Sequence, residues 1–242
     1  MNIDVLLHPA EFKVRDFEGK VVVIIDVLRA TTTILTAFAN GCKRVIPVLT
    51  PEEAMEVKYT IIDACTLLGG ERRGIKINGF DLGNSPSEYT REVVQGQNIV
   101  LTTTNGTKAL RGVRGAGSIF IGALSNISAL CRACHKVGED IILVTSGRAG
   151  SFSLEDLVCA GMIVSKLRET STYKETDAAF AAQLLFSHFK RDIKTALYTS
   201  EHGRYLCEIG FESDLEICAQ VDTYDIVPFL ANENINYSEL NI

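Results

Sequence analysis

Three segments of this chain repeat one pattern, in which an apolar run leads into a polar turn and then a helix-forming stretch. The apolar runs are residues 21–26, 98–102 and 140–144, and the turns after them are rich in Thr, Ser, Gly, Asn and Arg. Short apolar runs with many β-branched residues are typical of strands buried in a parallel sheet. Strands that alternate with helices predict an α/β fold, here a three-layer α/β/α arrangement around a mainly parallel sheet.

The first two units resemble each other closely enough to indicate an internal βαβ duplication. Each strand run is followed by a polar turn, a helical stretch and another apolar run, at residues 42–48 and 118–124. Unrelated βαβ units also share this pattern, because the same physical requirements apply to them. The similarity is therefore compatible with a duplication and with independent origin. With 242 residues, 46% of them hydrophobic, the chain can bury a substantial core. We expect one α/β domain over residues 1–242, or two closely packed halves at about 1–125 and 126–242.

Charge and composition exclude several classes of protein. The formal net charge of −6 argues against a nucleic-acid binder, which would present a basic surface. No apolar stretch approaches the roughly 18 residues that a membrane span requires. The first residues do not have the pattern of a signal peptide, and the seven cysteines are scattered. We therefore expect a cytoplasmic protein without disulfides that binds neither nucleic acid nor membrane, with Cys159 and Cys218 as buried thiols.

One cysteine pattern permits a different interpretation. Cys131, Cys134 and His135 spell C-x-x-C-H, the attachment motif of c-type haem. Residues 126–138 also have the periodicity of an amphipathic helix, with Ile127, Leu130 and Cys134 on one side. Haem attachment occurs in exported proteins, so we favour chance spacing on a helix.

The polar turns have the chemistry of an anion-binding site. In parallel α/β sheets, ligands lie outside the carboxyl ends of the strands, so the three turns should meet near one edge. Hydroxyls and the free N–H groups at helix starts suit anions, and two of the turns add Arg29 and Arg148. Helix capping alone would explain Thr31 or Ser153 in any single turn. Three such turns together favour anion binding.

Carboxylates accompany these turns. Asp26 ends the first strand, where it could hold a hard cation, act on a substrate or simply bind loop N–H groups. Glu155 and Asp156 open the third helix, a position that the helix dipole alone favours. The stretch 69–86 combines glycines with charged and amide residues, and we expect a long functional loop there. Its candidate ligands for an oxygen-preferring metal are Glu71, Asp81 and Asn84, and Ser85 is the expected cap of a following helix.

Several of these segments, read in order, resemble the successive signatures of the 2-phosphosulfolactate phosphatase family. They are residues 26–33, 70–72 with 79–86, 103–107 and 150–156. The resemblance continues through residues 122–126 and 210–228, and so it extends over nearly the whole chain. It implies a magnesium-dependent phosphoric monoester hydrolase of coenzyme M biosynthesis, which converts 2-phosphosulfolactate to sulfolactate and phosphate.

The resemblance and the turns together give a predicted site. Asp26, Arg29 and Arg148 are the expected catalytic residues, and Mg²⁺ would be held by Asp26, Glu71 and Asp156, with Asp81 in reserve. The small anionic phosphate ester needs several cationic and N–H donors. The phosphate and sulfonate are assigned to Arg29, Arg148, Thr32, Thr33, Thr104 and Asn105, the carboxylate to Arg72 and Asn84, and further substrate binding to Ser153.

The sequence also permits other interpretations. The chain could hydrolyse another small acidic phosphate ester, or bind anions without catalysis. A nucleotide-dependent transferase or oxidoreductase is disfavoured, because G-x-G-x-x-G after a strand and G-x-x-x-x-G-K-[ST] are both missing. The D-x-D-x-T motif of aspartyl-phosphate phosphatases is also missing, which favours attack by metal-activated water over a carboxylate nucleophile. His202 is left out of the predicted site, and the helix-rich tail, 177–230, could form a homodimer contact or cover the sheet.

Overall fold

The computed structural model describes residues 1–7, 11, 15–61, 65–113, 115–148, 150–170 and 172–237. Within these ranges the strands are β1 Asn2–Leu6, β2 Val21–Ile25, β3 Arg44–Pro47, β4 Thr66–Arg72, β5 Ile75–Lys76, β6 Asn98–Thr102, β7 Ser118–Gly122, β8 Ile141–Thr145, β9 Lys174–Glu175, β10 Phe229–Ala231 and β11 Asn234–Asn236. The helices are α1 Ala30–Ala39, α2 Pro51–Thr60, α3 Arg91–Val94, α4 Gly106–Gly112, α5 Ile127–Val137, α6 Leu154–Thr170, α7 Asp177–Phe189, α8 Ile193–Thr199, α9 Glu201–Glu208 and α10 Glu212–Cys218. Short 3₁₀ helices lie at Pro86–Glu88 and Leu124–Asn126.

These strands form one mainly parallel sheet, as the sequence predicts. Its order is β5-β4-β6-β3-β11-β10-β7-β2-β8-β1-β9. One parallel group contains β4, β6 and β3, and the other runs from β7 to β9. The antiparallel hairpin of β10 and β11 joins the two groups, with β11 against β3 and β10 against β7. The sequence patterns considered above gave no sign of this hairpin.

The two similar βαβ units are interleaved in the sheet. The first strand of the first unit, β2, pairs with the last strand of the second unit, β7. The last strand of the first unit, β3, pairs with the first strand of the second, β6. Each unit therefore crosses from one parallel group to the other, and the hairpin lies between the groups.

Alternating side chains of the central strands enter two different cores. In β2, Val21, Val23 and Ile25 face one core, while Val22 and Ile24 face the other. Helices α5 to α10 cover the first face, and α1 and α4 cover the second. This burial on both faces explains why the strands are continuous apolar runs, and it gives the expected three layers.

The tail helices cover the sheet. Buried residues of α7, α8, α9 and α10 belong to the same core as α5 and α6. The predicted amphipathic helix is α5, in which Cys131 and Cys134 are buried, and Cys159 and Cys218 are buried as expected. All seven cysteines are free thiols. Among the described helices, none has both the length and the apolar character that would let it cross a membrane.

The prediction of a long loop over 69–86 is wrong for its first part. Gly69 to Arg72 belong to β4, which turns back into β5. Within β4, a Cβ at Gly69 would lie 2.4 Å from the hydroxyl of Tyr89, so this position has no room for a side chain. Ser85 precedes a single 3₁₀ turn but makes no capping hydrogen bond through its side chain.

The contact between α6 and α7 depends on the absence of a side chain at Gly161. A Cβ there would lie 2.0 Å from the carbonyl oxygen of Ala182 and 2.9 Å from Cβ of Phe186. Glycine in a helix interior normally costs about 1 kcal/mol relative to alanine. Here the close approach of the two helices outweighs that cost.

We expect Gly161→Ala to destabilise the protein, although alanine is the better helix former. Overpacking of this kind costs about 1–3 kcal/mol, so the Tm should fall by several degrees. Thermal unfolding followed by circular dichroism measures the change. The control is Ser165→Ala in the half-buried part of the same helix, whose Tm should stay equal or rise slightly. A Tm for Gly161→Ala at or above that of the control would contradict the packing argument.

Candidate active site

A cavity of about 290 Å³ opens at the carboxyl ends of β2, β4, β6 and β8. It is lined by Asp26, Leu28, Arg29, Glu71, Arg73, Gly74, Asn84, Thr103, Thr104, Asn105, Arg148, His202 and Tyr205. The three polar turns of the sequence therefore meet at one place, as parallel strands require. Helix α9 closes the remaining side with His202 and Tyr205.

Asp26 follows β2 directly and lies in the cavity wall. One of its carboxylate oxygens, Oδ1, accepts a long hydrogen bond from the backbone N–H of Ala30, at 3.3 Å. The other, Oδ2, lies so close to Gly106 that a Cβ added there would come within 2.9 Å of it. Burial raises the pKa of Asp26 from 3.8 to about 7, against the opposing effect of His202, and Glu71 and Glu155 raise it further.

Glu71 connects two walls of the cavity. Its Oε2 accepts a hydrogen bond from the N–H of Gly74 at 2.7 Å, and its Oε1 accepts one from the N–H of Thr104 at 2.7 Å. The carboxylate thereby ties the β4–β5 turn to the turn after β6. The two N–H donors hold the carboxylate in one orientation. Glu71 consequently lies at a fixed position near Asp26, whose pKa it helps to raise.

Two further acids lie behind the cavity at the start of α6. Asp156 Oδ1 accepts a hydrogen bond from the N–H of Val27 at 2.8 Å. Burial, together with Glu155 and Asp26, raises the pKa of Asp156 well above its ordinary value. Burial also disfavours ionisation of Glu155, but His202 outweighs it and the pKa of Glu155 is lowered. This end of the cavity is therefore a crowded group of carboxyls.

Arg29 is almost entirely buried and already paired. It donates hydrogen bonds of 2.6 Å to Asp214 Oδ2 and to the carbonyl oxygen of Gly74. Its guanidinium also lies 4.3 Å from the ring centroid of Phe211. Arg29 lines part of the cavity wall, while its Nη1 and Nη2 each donate to another segment of the protein.

Arg148 and Arg73 are the more available cations. Arg148 pairs with the exposed carboxylate of Glu201 at 2.6 Å and lies over the ring of Tyr205. Arg73 is exposed at the cavity mouth, and its backbone carbonyl accepts a hydrogen bond from the hydroxyl of Tyr205 at 2.8 Å. Among the described residues, no carboxylate pairs with the Arg73 guanidinium. Both side chains can turn toward an anion at little cost.

Several predicted substrate-binding residues have other contacts in the structure. Thr32 donates its hydroxyl to the carbonyl of Val27, and Thr33 donates to that of Asn84. The guanidinium of Arg72 donates to the carbonyls of Glu71 and Leu49 and to the Thr102 hydroxyl. Ser153 lines a smaller neighbouring cavity of about 160 Å³, which shares Arg148 and His202 with the main one. In the described structure, Thr32, Thr33, Arg72, Ser153 and Asp156 do not line the main cavity.

Thr104 and Asn84 do line the main cavity, and each has one polar atom that could accept a further hydrogen bond. Thr104 Oγ1 and Asn84 Oδ1 are buried and have no hydrogen-bond partner within the described part of the chain. Buried polar atoms without a partner are rare and costly. These two atoms therefore indicate where a bound polar molecule would be hydrogen-bonded.

Comparison with known proteins gives the family. A profile of the 2-phosphosulpholactate phosphatase family matches residues 6–233. The chain is 41% identical over 237 residues to a "Probable 2-phosphosulfolactate phosphatase" of Clostridium acetobutylicum, covering 97% of this chain and 100% of that one. The chain belongs to this family. Two similarly named proteins agree with this assignment. That of Clostridium novyi is 39% identical, covering 94% of this chain and 96% of that one. That of Symbiobacterium thermophilum is 43% identical, covering 92% of this chain and 94% of that one.

Parts of the site come from the helix-rich tail and are not predicted from the sequence. His202, which is absent from the predicted site, lines the cavity beside Glu155, with its Nδ1 3.6 Å from Oε1. Asp214, within the segment 210–228 of the resemblance, neutralises Arg29. Nothing local in the sequence marks either contact, because each joins elements far apart in the chain.

The cavity carries donors that suit Mg²⁺. This cation prefers oxygen ligands and commonly uses one or two carboxylates, with water and substrate phosphate as its remaining ligands. Asp26 and Glu71 both line the cavity, and burial raises the pKa of Asp26, with a smaller contribution from Glu71 and Glu155. Asp81 is 40% exposed and pairs with Lys58, away from the cavity. No ready-made group of three or more His, Cys, Asp or Glu ligands exists among the described residues.

The raised pKa of Asp26 predicts a pH-dependent stability in the metal-free protein. Between about pH 4 and pH 7 the unfolded chain releases this proton while the folded chain retains it. The free energy of unfolding should therefore fall with rising pH, by at most about 1.4 kcal/mol per pH unit from this group. Asp26→Asn removes that dependence. The Tm of the variant should therefore rise relative to the Tm of the parent by several degrees between pH 5 and pH 8.

The measurement is a thermal-unfolding series in EDTA over this pH range. Asp81→Asn serves as the control, because hydrogen bonds to Asp81 lower its pKa despite the opposing effect of burial. Its Tm difference from the parent should stay flat from pH 5 to pH 8. An equally flat difference for Asp26→Asn would mean that Asp26 has an ordinary pKa in the folded protein.

Proposed function

We propose that this chain hydrolyses 2-phosphosulfolactate to sulfolactate and inorganic phosphate, with Mg²⁺ as its cofactor, as a step of coenzyme M biosynthesis. The observation that carries the proposal is one cavity that combines Asp26 and Glu71 with Arg29, Arg73 and Arg148, in a member of this phosphatase family. A phosphate ester that is dense in negative charge suits such a mixture of cations and metal-binding carboxylates.

The cationic side of the cavity would bind the three anionic groups of the substrate. Arg148 and Arg73 are the accessible guanidiniums, and both can form paired hydrogen bonds with phosphate, sulfonate or carboxylate. The Thr104 hydroxyl, which has no hydrogen-bond partner among the described residues, adds a donor deeper in the cavity. Arg29 contributes positive potential from behind while it stays paired with Asp214.

The acidic side would hold Mg²⁺ and orient the attacking water. Asp26 and Glu71 are the residues assigned to the cation. When bound, Mg²⁺ would neutralise charge on the phosphoryl oxygens and activate water. Asp26 would also accept a hydrogen bond from the attacking water and orient it toward phosphorus. Glu71 would remain fixed by the N–H groups of Gly74 and Thr104.

The decisive experiment measures phosphate release from 2-phosphosulfolactate by metal-stripped protein, with and without added Mg²⁺. We expect turnover that requires the metal, and a loss of at least about 10³-fold in Asp26→Asn. Asp81→Asn, outside the cavity, should retain the parent's rate. Release from phosphoglycolate or phospholactate but not from 2-phosphosulfolactate would change the substrate and keep the reaction. No release from any phosphate ester would leave a non-catalytic anion-binding protein as the better interpretation.

Arg73 rather than Arg72 should contribute to substrate affinity. Arg73 lines the cavity, whereas Arg72 is bound to backbone carbonyls and Thr102. Loss of an accessible charge-assisted contact costs about 1.5–3 kcal/mol. We expect Arg73→Ala to raise KM about 10-fold or more while kcat changes much less.

Steady-state kinetics on 2-phosphosulfolactate measure this effect. Arg91→Ala, at an exposed arginine on α3, is the control and should leave KM unchanged. If Arg73→Ala has the parent's KM, the Arg73 side chain does not touch the substrate.

A further inference from the structure

His202 occupies a position from which it can reach a bound substrate. It lies in the first turn of α9, where the Ser200 hydroxyl oxygen accepts a hydrogen bond from the N–H of Gly203 at 2.9 Å and fixes the helix start. Its side chain is 19% exposed and lines both the main cavity and the smaller one beside it. A histidine at the junction of two cavities has access to ligand and to solvent protons.

Glu155 orients this histidine. The carboxylate is 2% exposed and its Oε1 lies 3.6 Å from Nδ1 of His202. A buried carboxylate beside one ring nitrogen restrains the orientation of the ring. The second ring nitrogen, Nε2, has no hydrogen-bond partner in the described part of the chain. It is therefore the nitrogen that can donate a proton to a ligand.

The proposed reaction needs such a donor. Cleavage of an alkyl phosphate leaves an alkoxide, a poor leaving group that protonation in the transition state assists. Arginines cannot give up a proton. The Tyr205 hydroxyl already donates to the carbonyl of Arg73, and Glu71 accepts two N–H hydrogen bonds. Asp26 is assigned to the metal and the attacking water, which leaves His202 for the leaving group.

We propose that His202 is the general acid of the phosphatase reaction and that Glu155 is its positioning residue. Water forms a new bond to phosphorus as the ester P–O bond breaks, and that bond's electron pair stays on the ester oxygen. This oxygen takes the Nε2 proton of His202 and leaves as the alcohol. The proton released by the water passes to solvent, and solvent reprotonates His202, so the balance is ester plus water to alcohol plus hydrogen phosphate. The inference rests on the proposed function.

The test compares esters whose leaving groups differ in their need for a proton. His202→Gln should lower kcat on 2-phosphosulfolactate by about 10²–10⁴-fold. On p-nitrophenyl phosphate, whose phenolate leaves without protonation, the loss should be below about 10-fold. His188→Gln, at a histidine on α7 outside the cavity, controls for a general effect of the substitution and should match the parent on both esters. Circular dichroism checks that each variant is folded, and His202→Asn replaces His202→Gln if it is not.

The pH profile gives a second readout that a structural role would not move. The charged groups around His202 are Glu155 from α6, Asp26 after β2, Glu71 in β4 and Arg148 after β8, with Arg29 and Arg73 across the cavity and Glu201 beside it in α9. We expect kcat/KM of the parent to fall on its basic side as His202 loses its proton. In His202→Gln this decrease at high pH should be absent. If the parent does not hydrolyse p-nitrophenyl phosphate, the pH profile alone tests the assignment of His202.

Equal losses on the two esters, or an unchanged decrease at high pH in the variant, would overturn the assignment of His202 while the parent's activity still supports the phosphatase. A parent that releases phosphate from no ester would overturn the proposed function itself. The two failures are therefore distinguishable in the same set of assays.

Discussion

The buried ion pair between Arg29 and Asp214 joins the parts of the chain that form the cavity. Arg29 belongs to the turn after β2, and Asp214 belongs to α10 near the end of the chain. Arg29 also donates to Gly74 in the β4–β5 turn, and Asp214 accepts from Ser85. Breaking a buried pair by removing one partner costs roughly 3–5 kcal/mol, because the other charge is left uncompensated. Four segments, far apart in sequence, are therefore held at one edge of the sheet.

Because of this pair, the charged residues of the cavity have different roles. Arg29 is neutralised inside the protein, so its charge stabilises the wall more than it attracts a ligand. Arg73 and Arg148 lie nearer solvent and keep their capacity to bind an anion. The acids show the same division, since Glu71 is fixed by two N–H groups while Asp26 has a raised pKa and a weakly bound carboxyl. A chain of net charge −6 can therefore present a cationic site, because local placement sets the field.

The local patterns in the sequence predicted what local physics determines. Strand runs such as 21–25, the turns after them and the edge of the sheet where those turns meet follow from apolar periodicity and parallel pairing. Thr32 and Thr33 have the right chemistry for anion binding, but their hydroxyls are directed to backbone carbonyls, a choice that depends on side-chain direction within α1. The β10–β11 hairpin and the approach of His202 to Glu155 depend on tertiary contacts, which no single segment encodes.

The tail helices are consequently part of the site as well as a cover for the sheet. Strand ends supply Asp26, Glu71 and the three arginines of the cavity, all within a few residues of a buried strand. Helix α9 supplies His202 and Tyr205, and α10 supplies Asp214. The proposed proton donor and the partner of Arg29 thus come from the helical layer, while the carboxylates proposed to bind the metal come from the ends of the strands. A substrate bound in the cavity would touch both layers, so the packing of the tail onto the sheet sets the distance between the attacking and leaving sides of the phosphate.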